Sequence, residues 1–213
     1  MSVRYGETVI LAAGDFPRKG GKAWNLLVKA DRVIACDSAA DAYRRRFRRW
    51  PTVVIGDLDS LKSCGKVMRR RLDAAGKPPV VIRVPEQDTN DLAKAVRYCA
   101  AQGWRNPVVL GATGRREDHT LGNIFRALDF GLEVVSDYGR FVPVEGKATF
   151  RLAKGSPVSV FASDPATRMT SRGLEWPLDG VVFENLYCAT LNRASAATVT
   201  LTATKRVYIY FAS

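Results

Sequence analysis

Residues 52–60 read TVVIGDLDS, and their interpretation decides the architecture expected for the rest of the chain. Val53, Val54 and Ile55 are β-branched and too few for a helix, so they predict a buried strand beginning after Thr52. Gly56 then lets the backbone turn or approach another group closely. Two carboxylates follow at Asp57 and Asp59. Just past a strand end, an i,i+2 Asp pair can direct both side chains to one divalent ion, provided the backbone does not continue the pleat. In an open α/β sheet, ligands bind in the crevice outside the C-terminal strand ends. The same residues admit a plainer reading, in which Asp57 opens a turn and Asp59 caps a helix starting near Leu61.

Outward from this strand, similar apolar runs occur at 8–13 (closing on Gly14-Asp15), 32–36 (ending at Asp37), 80–84, 108–110 after the Asn106-Pro107 break, and 132–135. Helical patterns at 22–29, 39–49, 61–76, 88–101 and 120–130 alternate with them. In 88–101, Leu92, Ala93, Val96 and Cys99 recur at helical spacing. Strand and helix alternating through short connections predict an α/β fold, a largely parallel sheet flanked by helices. Near residue 140 the pattern changes to short segments rich in Val, Thr, Phe and Tyr, at 141–144, 148–152, 157–162, 166–170, 181–183, 197–203 and 206–211. Thr204-Lys205 is expected to turn a hairpin between the last two. These segments predict a smaller C-terminal antiparallel β-sandwich domain, dividing the chain into 1–140 and 141–213.

The apolar fraction of 46% fits an ordinary soluble globular protein and gives no compositional case for disorder. A net charge of +12 favours anionic partners without choosing among nucleotides, nucleic acid and acidic surfaces. No run is long enough to span a membrane, and the N-terminus lacks a secretory signal, so no membrane partner is expected. Cys36, Cys64, Cys99 and Cys188 lie far apart without a CxxC pair, which argues against zinc and for reduced thiols in a cytoplasmic protein. The arginines at 44–46, 48–49 and 69–71 read as solvated helix faces, because no nucleic-acid-binding motif accompanies them.

Three acidic segments fall at C-terminal strand edges: Asp57/Asp59, Gln87-Asp88-Thr89-Asn90-Asp91, and Glu117-Asp118-His119. Magnesium takes six oxygen ligands and accepts them from carboxylates, waters and substrate phosphates, so carboxylates from separate loops suit it. Helix capping by Asp88 or Asn90, and by Asp118, is the competing account. The loop Gly111-Ala112-Thr113-Gly114-Arg115-Arg116 combines close backbone approach, amides before a helix and two guanidinium groups, which together suit phosphate. It is neither a Walker A loop nor GxGxxG. His119, the sole histidine, is read as a structural or supporting residue, since Asp118 beside it meets the chemical need. Trp176-Pro177 presents either a rigid indole able to stack on a flat heterocycle or a core tryptophan.

Taken in order, GDLDS at 56–60, QDTND at 87–91, GATGRREDH at 111–119 with Asn123, and GLEWPL at 173–178 resemble the motif series of the thiamine pyrophosphokinases. The resemblance covers essentially the whole chain. It implies an α/β ATP-binding domain, a thiamine-binding β-sandwich, and a homodimer with active sites shared between subunits. The implied reaction moves pyrophosphate from ATP to thiamine, giving thiamine diphosphate and AMP, with Mg2+ as cofactor. Asp57, Asp59, Asp91 and Asp118 match the metal-site aspartates, and Arg116 matches the arginine that meets ATP phosphates. Gln87 and Asp88, the loop residues Gly111, Gly114 and Arg115, and Asn123 fall in the implied nucleotide site. Trp176 matches the aromatic at the thiamine rings, Thr170 lies where a pyrimidine contact is implied, and Asn192 resembles the asparagine of a late Ser-Asn element.

The chain departs from the pattern at Asn90, where threonine is usual, and at Leu191, where serine is usual. Asp37-Ser38-Ala39-Ala40-Asp41 replaces a glycine-rich segment. These departures leave open another heterocyclic alcohol, such as a hydroxymethylpterin, as the acceptor. The rival from another class is a basic nucleic-acid-binding protein whose acidic loops are only caps and turns; no nucleic-acid partner is expected on the reading preferred here.

Overall fold

Each apolar run foreseen in the first part of the chain forms a strand in the computed structural model of the protein, which describes residues 8–58 and 79–213. The chain divides into two compact units, Met1–Asp137 and Tyr138–Ser213. In the first, β1 (Thr8–Leu11), β2 (Arg32–Cys36), β3 (Val53–Gly56), β4 (Val80–Arg83), β5 (Val108–Leu110) and β6 (Val134–Val135) pair in parallel. Their order is β6-β5-β1-β2-β3-β4. The chain therefore builds outward from β1 to β4 and then restarts at β5 on the other side of β1. That reversal is a topological switch point, and it leaves a crevice between the loops after β1 and β5.

Four described helices flank this sheet: α1 (Lys22–Lys29), α2 (Ala39–Phe47), α3 (Asp91–Ala101) and α4 (Glu117–Asp129). The helix expected over 61–76 lies outside the described residues. Val9, Leu11, Val33, Ala35, Val54 and Leu110 form one core with Ala23 and Leu27 of α1 and Tyr43 of α2. Alternation along a strand turns Ile10, Ile34 and Ile55, also fully buried, to the opposite face. The helix α3 packs on β1, β2 and β3 and contributes nothing to the first cluster. Burial on both faces explains why these strands read as continuous apolar runs, and each buried aliphatic side chain contributes roughly 1.5–3 kcal/mol. Asn90 starts α3 by accepting the amide of Ala93 at 3.0 Å. It therefore serves as the helix cap, which moves the start of α3 from Asp88 to Asp91.

The second unit contains β7 (Gly139–Arg151), β8 (Pro157–Phe161), β9 (Met169–Arg172), β10 (Ala189–Arg193) and β11 (Thr198–Ala212). It is an antiparallel cluster built on two long strands, β7 and β11. The C-terminal half of β11 lies between β7 and β8, with β10 beyond β8, and its N-terminal half lies between β7 and β9. Val199, Leu201, Ala203, Val207, Ile209 and Phe211 all enter one core.

The expected hairpin at Thr204-Lys205 does not form. A register shift between Ala203 and Val207 bends one continuous strand instead. The bend survives because Thr204 exchanges hydrogen bonds with Arg168: its amide donates to the Arg168 carbonyl, and its Oγ1 accepts the Arg168 amide. Residues 181–183 also form no strand, although Phe183 is buried in the core. Conversely, β10 was not foreseen, because ATLNR offers few apolar residues.

Candidate functional site

The C-terminal ends of the parallel strands bring two chemically different loops to one sheet edge. The first group gathers around Gly56. Leu58 adopts φ 66° between Asp57 and Asp59, so the pleat is broken where the paired carboxylates require it. Asp59 itself lies outside the described residues. A side chain at Gly56 would begin 3.2 Å from Cβ of Asp37 and 3.4 Å from Oδ2 of Asp91. Glycine there, next to Asp57 in the chain, thus admits two carboxylate residues from neighbouring elements, Asp37 and Asp91. Gln87 donates through Nε2 to Oδ2 of Asp57 at 3.3 Å, orienting that carboxylate. Arg83 donates to the Asp57 carbonyl at 3.4 Å.

Asp91, the first residue of α3, is held from below. Nζ of Lys94 lies 3.2 Å from Oδ1 of Asp91, and the Lys94 side chain is 3% exposed against 31% for Asp91. Behind them, burial pushes the Cys36 thiol up, reinforced by the charge of Asp91, and burial pushes the Cys99 thiol up to about 12. Both cysteines are free thiols and remain protonated.

The donor set fits a hard cation, because Asp57 and Asp91 present carboxylate oxygens while the nearby Cys36 thiol stays protonated. Among the described residues, no three carboxylate, imidazole or thiol groups gather as a metal site. Asp88 is exposed, and its amide donates to Oε2 of Glu86 at 3.1 Å. Glu86 also accepts the Thr89 hydroxyl at 2.6 Å and faces Arg97, and the Thr89 hydrogen bond chiefly lowers its pKa.

The second group surrounds the switch point. A cavity of about 230 Å³ is lined by Ala13, Gly14, Ala112, Gly114, Arg115, Arg116, His119 and Asn123. The loops after β1 and β5 are pressed together: the Gly14 amide donates to Gly111 O at 2.7 Å and the Asp15 amide to Thr113 O at 2.8 Å. A Cβ at Gly114, where φ is 84°, would sit 2.1 Å from Oδ2 of Asp15. Only glycine fits there.

Arg116 precedes α4 and pairs with Asp118 through Nε at 3.1 Å and Nη2 at 2.6 Å. Both side chains are mostly exposed. The Arg116 hydrogen bonds, aided by the His119 amide, hold the Asp118 carboxyl at about 2, and Asp118 in turn raises the Arg116 guanidinium. Asn123 donates to Ala112 O at 3.2 Å and accepts Nδ2 of Asn90 at 3.1 Å, tying α4 to the loop and to the start of α3.

In the second unit, Thr170 and Trp176 occupy different places. Thr170 lines a polar cavity of about 460 Å³ with Lys147, Arg172, Thr200 and Thr202 among others. Trp176 is half exposed, and Arg193 lies over its ring at 5.5 Å. Asn192 is buried and makes three hydrogen bonds to the backbone. Its Oδ1 accepts the amides of Trp176 at 3.2 Å and Arg193 at 2.8 Å, and its Nδ2 donates to Trp176 O at 2.6 Å. The structure therefore makes Asn192 the holder of Trp176.

Sequence reasoning did not single out Asp15, Asp37 or Lys94 for the site. Asp37 stands one residue past the end of β2, the placement that marked Asp57, and Asp15 stands four residues past the end of β1. Lys94 follows Asp91 at i+3 among the buried residues Ala93 and Ala95. The arginines of α2 are partly absorbed by packing, with Arg44 over Trp50 and Arg46 over Phe16.

Comparison with known proteins returns two family descriptions in succession: "Thiamin pyrophosphokinase, catalytic domain" over residues 23–135 and "Thiamin pyrophosphokinase, substrate-binding domain" over 139–210. Thiamin pyrophosphokinase 1 of Caenorhabditis elegans is 33% identical over 117 residues, covering 51% of this chain and 44% of that protein. Thiamine pyrophosphokinase 1 of Oryza sativa subsp. japonica is 29% identical over 165 residues, covering 66% and 58%. The matches thus span about half the length of these curated relatives. Among solved structures, the yeast enzyme aligns with TM-score 0.76 at 13% identity over 98% of this chain and 86% of that one. The Bacillus subtilis enzyme aligns with TM-score 0.69 at 19% identity over 97% and 98%. At these identities the likeness is one of fold. Among the described residues, no helix is long and apolar enough to cross a membrane.

Proposed function

The chain belongs to the thiamin pyrophosphokinase family, and from that premise we propose that it transfers the pyrophosphoryl group of ATP to the primary hydroxyl of thiamine, releasing AMP. One observation chiefly supports this reading. The switch-point crevice ends in a glycine loop with Arg115 and Arg116 in its wall, while Asp57 follows the end of β3 and Asp91, opening α3, approaches the glycine before it. Polyphosphate binding needs cationic and amide donors, and the transfer needs charge neutralisation and alignment more than a strong base.

The roles divide as follows. Gly111 and Gly114 let the loop backbone close on the triphosphate, with Arg115 beside it, and Arg116 clamps its oxygens. Asp88 borders the nucleotide, and Asn123 keeps the loop in register with α3. Asp57, Asp59 and Asp91 would hold Mg2+, and Gln87 fixes the orientation of Asp57. When bound, the ion neutralises the charge that builds on the bridging and terminal phosphate oxygens. Asp118 would complete that set, and Arg116, its present partner, would be the group that meets phosphate. In the second unit, Trp176 stacks on the thiamine rings while Asn192 fixes its backbone, and Thr170 meets the pyrimidine. The enzyme works as a cytoplasmic homodimer with active sites shared between subunits, and it uses neither nucleic acid nor a membrane as partner.

The test is to incubate the pure protein with ATP, Mg2+ and thiamine and to weigh the products. AMP and thiamine diphosphate in equal amounts are expected. AMP formed only with a different heterocyclic alcohol, such as a hydroxymethylpterin, would reassign the acceptor, and no magnesium-dependent AMP at all would overturn the reading.

A further inference from the structure

Lys94 is the one lysine or arginine buried among the described residues, and it occupies an unusual position. Its ammonium lies 3.2 Å from Oδ1 of Asp91, whose Oδ2 faces Gly56, so it stands beside the corner where Asp91 approaches the residue before Asp57. Burying an ammonium is costly, and a single partly exposed carboxylate compensates it only in part. A lysine that served α3 alone would gain more by reaching solvent, as long basic side chains usually do. The corner supplies the missing reason. Carboxylates set side by side repel one another, and cation affinity at such sites rises with the number of uncompensated ligand charges.

We infer that Lys94 is an internal counter-cation that keeps the Asp57/Asp91 corner from binding a bare divalent ion, so that the ion is retained only together with the nucleotide's phosphates. This rests on the proposed metal role of Asp57 and Asp91. Lys94 takes Oδ1 of Asp91, and Oδ2 is the oxygen that lies near Gly56. Its fixed positive charge lowers the corner's attraction for a free cation. Triphosphate oxygens bring the further negative charge that the corner then lacks. Lys94 is thus a positioning and charge-setting residue that acts through Asp91.

The test measures Mn2+ binding to the whole protein by the loss of the free-ion EPR signal, with and without a non-hydrolysable ATP analogue. Lys94→Met and Lys94→Gln, each with an unchanged melting transition, should bind Mn2+ alone about tenfold more tightly than the parent. Lys94→Arg should stay within about twofold of it. Adding Asp91→Asn to either neutral variant should abolish the gain. Lys94→Gln can still donate a hydrogen bond, so a role confined to orienting Asp91 would leave it at the parent affinity and overturn the inference. Unchanged or weaker binding by both neutral variants would do the same. If Asp91→Asn still weakens Mn2+ binding in the presence of the analogue, the metal role stands and only the inference falls. If Asp91→Asn and Asp57→Asn both leave that binding unchanged, the metal role falls and the inference with it.

Discussion

The starts of α3 and α4 carry the same pairing in opposite settings. Asp91 opens α3 and is bound by a buried lysine; Asp118 stands in the first turn of α4 and is bound by an exposed arginine. In both places the helix N-terminus already favours the carboxylate. The Lys94 ammonium is shielded from solvent, so it holds Oδ1 of the partly exposed Asp91 and fixes its direction. The exposed pair is only a resting arrangement, because a phosphate can replace Asp118 on the fork of Arg116 with two equally good hydrogen bonds. Burial therefore separates groups that set geometry from groups that meet ligand. The second unit repeats the division: Asn192 is buried and bonded to backbone, while Trp176, which it holds, is exposed.

The contrast makes ordered predictions. The largest effect belongs to the corner. Asp57→Asn and Asp91→Asn should each lower kcat about a thousandfold, since each removes ligand charge. Asp57→Asn should leave the melting temperature nearly unchanged, whereas Asp91→Asn should lower it because the buried Lys94 loses its charged partner. Near-parent AMP release from either variant would remove the corner from the chemistry. Next comes the exposed fork. Arg116→Ala should lower kcat/KM for ATP by roughly a hundredfold, and Arg116→Lys should recover only part of this because the two-bond geometry is lost. Equal behaviour of the two variants would show that charge alone matters there.

Smaller again, Trp176→Ala and Asn192→Ala should each raise KM for the acceptor about tenfold without altering KM for ATP. A normal KM in Asn192→Ala would mean that the Trp176 backbone stays in place without its holder.

The smallest effect is a titration. Arg116 depresses the Asp118 carboxyl to about 2 from an ordinary 3.8. The pairing is therefore complete above pH 3.8 and disappears as the pH falls through about 2. In Arg116→Ala, carboxyl 13C NMR should find the Asp118 midpoint moved up toward 3.8. An unmoved midpoint would place the cause elsewhere.

Much of this was legible in the chain itself, for identifiable reasons. Strands buried on both faces write themselves as uninterrupted apolar runs, so 53–55 and 108–110 could be read directly. The glycine loop at 111–116 announced its chemistry because backbone approach and guanidinium groups leave few other uses for that composition. What escaped reading depended on partners distant in sequence. Thr204-Lys205 looks like a turn because both residues are polar, yet Arg168 satisfies the Thr204 backbone and the strand continues. Asn192 looked like a ligand contact because nothing local shows that Trp176 consumes its amide. Lys94 carried no signal as a lysine on a helix; only the packing of α3 against β2 and β3 reveals that it points inward.

The bent strand β11 has a consequence in time. It is the last of the described strands to be synthesised, yet it is the middle strand of both halves of its unit, pairing Ala212 with Gly139 at one end and Thr198 with Arg151 at the other. Until it emerges, β7, β8 and β9 lack their shared partner and expose unpaired edges. The first unit, whose described strands are all made by Val135, faces no such delay. Assembly on the ribosome should therefore proceed in two stages, with a window in which the later half is protease-sensitive and open to mispairing with other nascent chains.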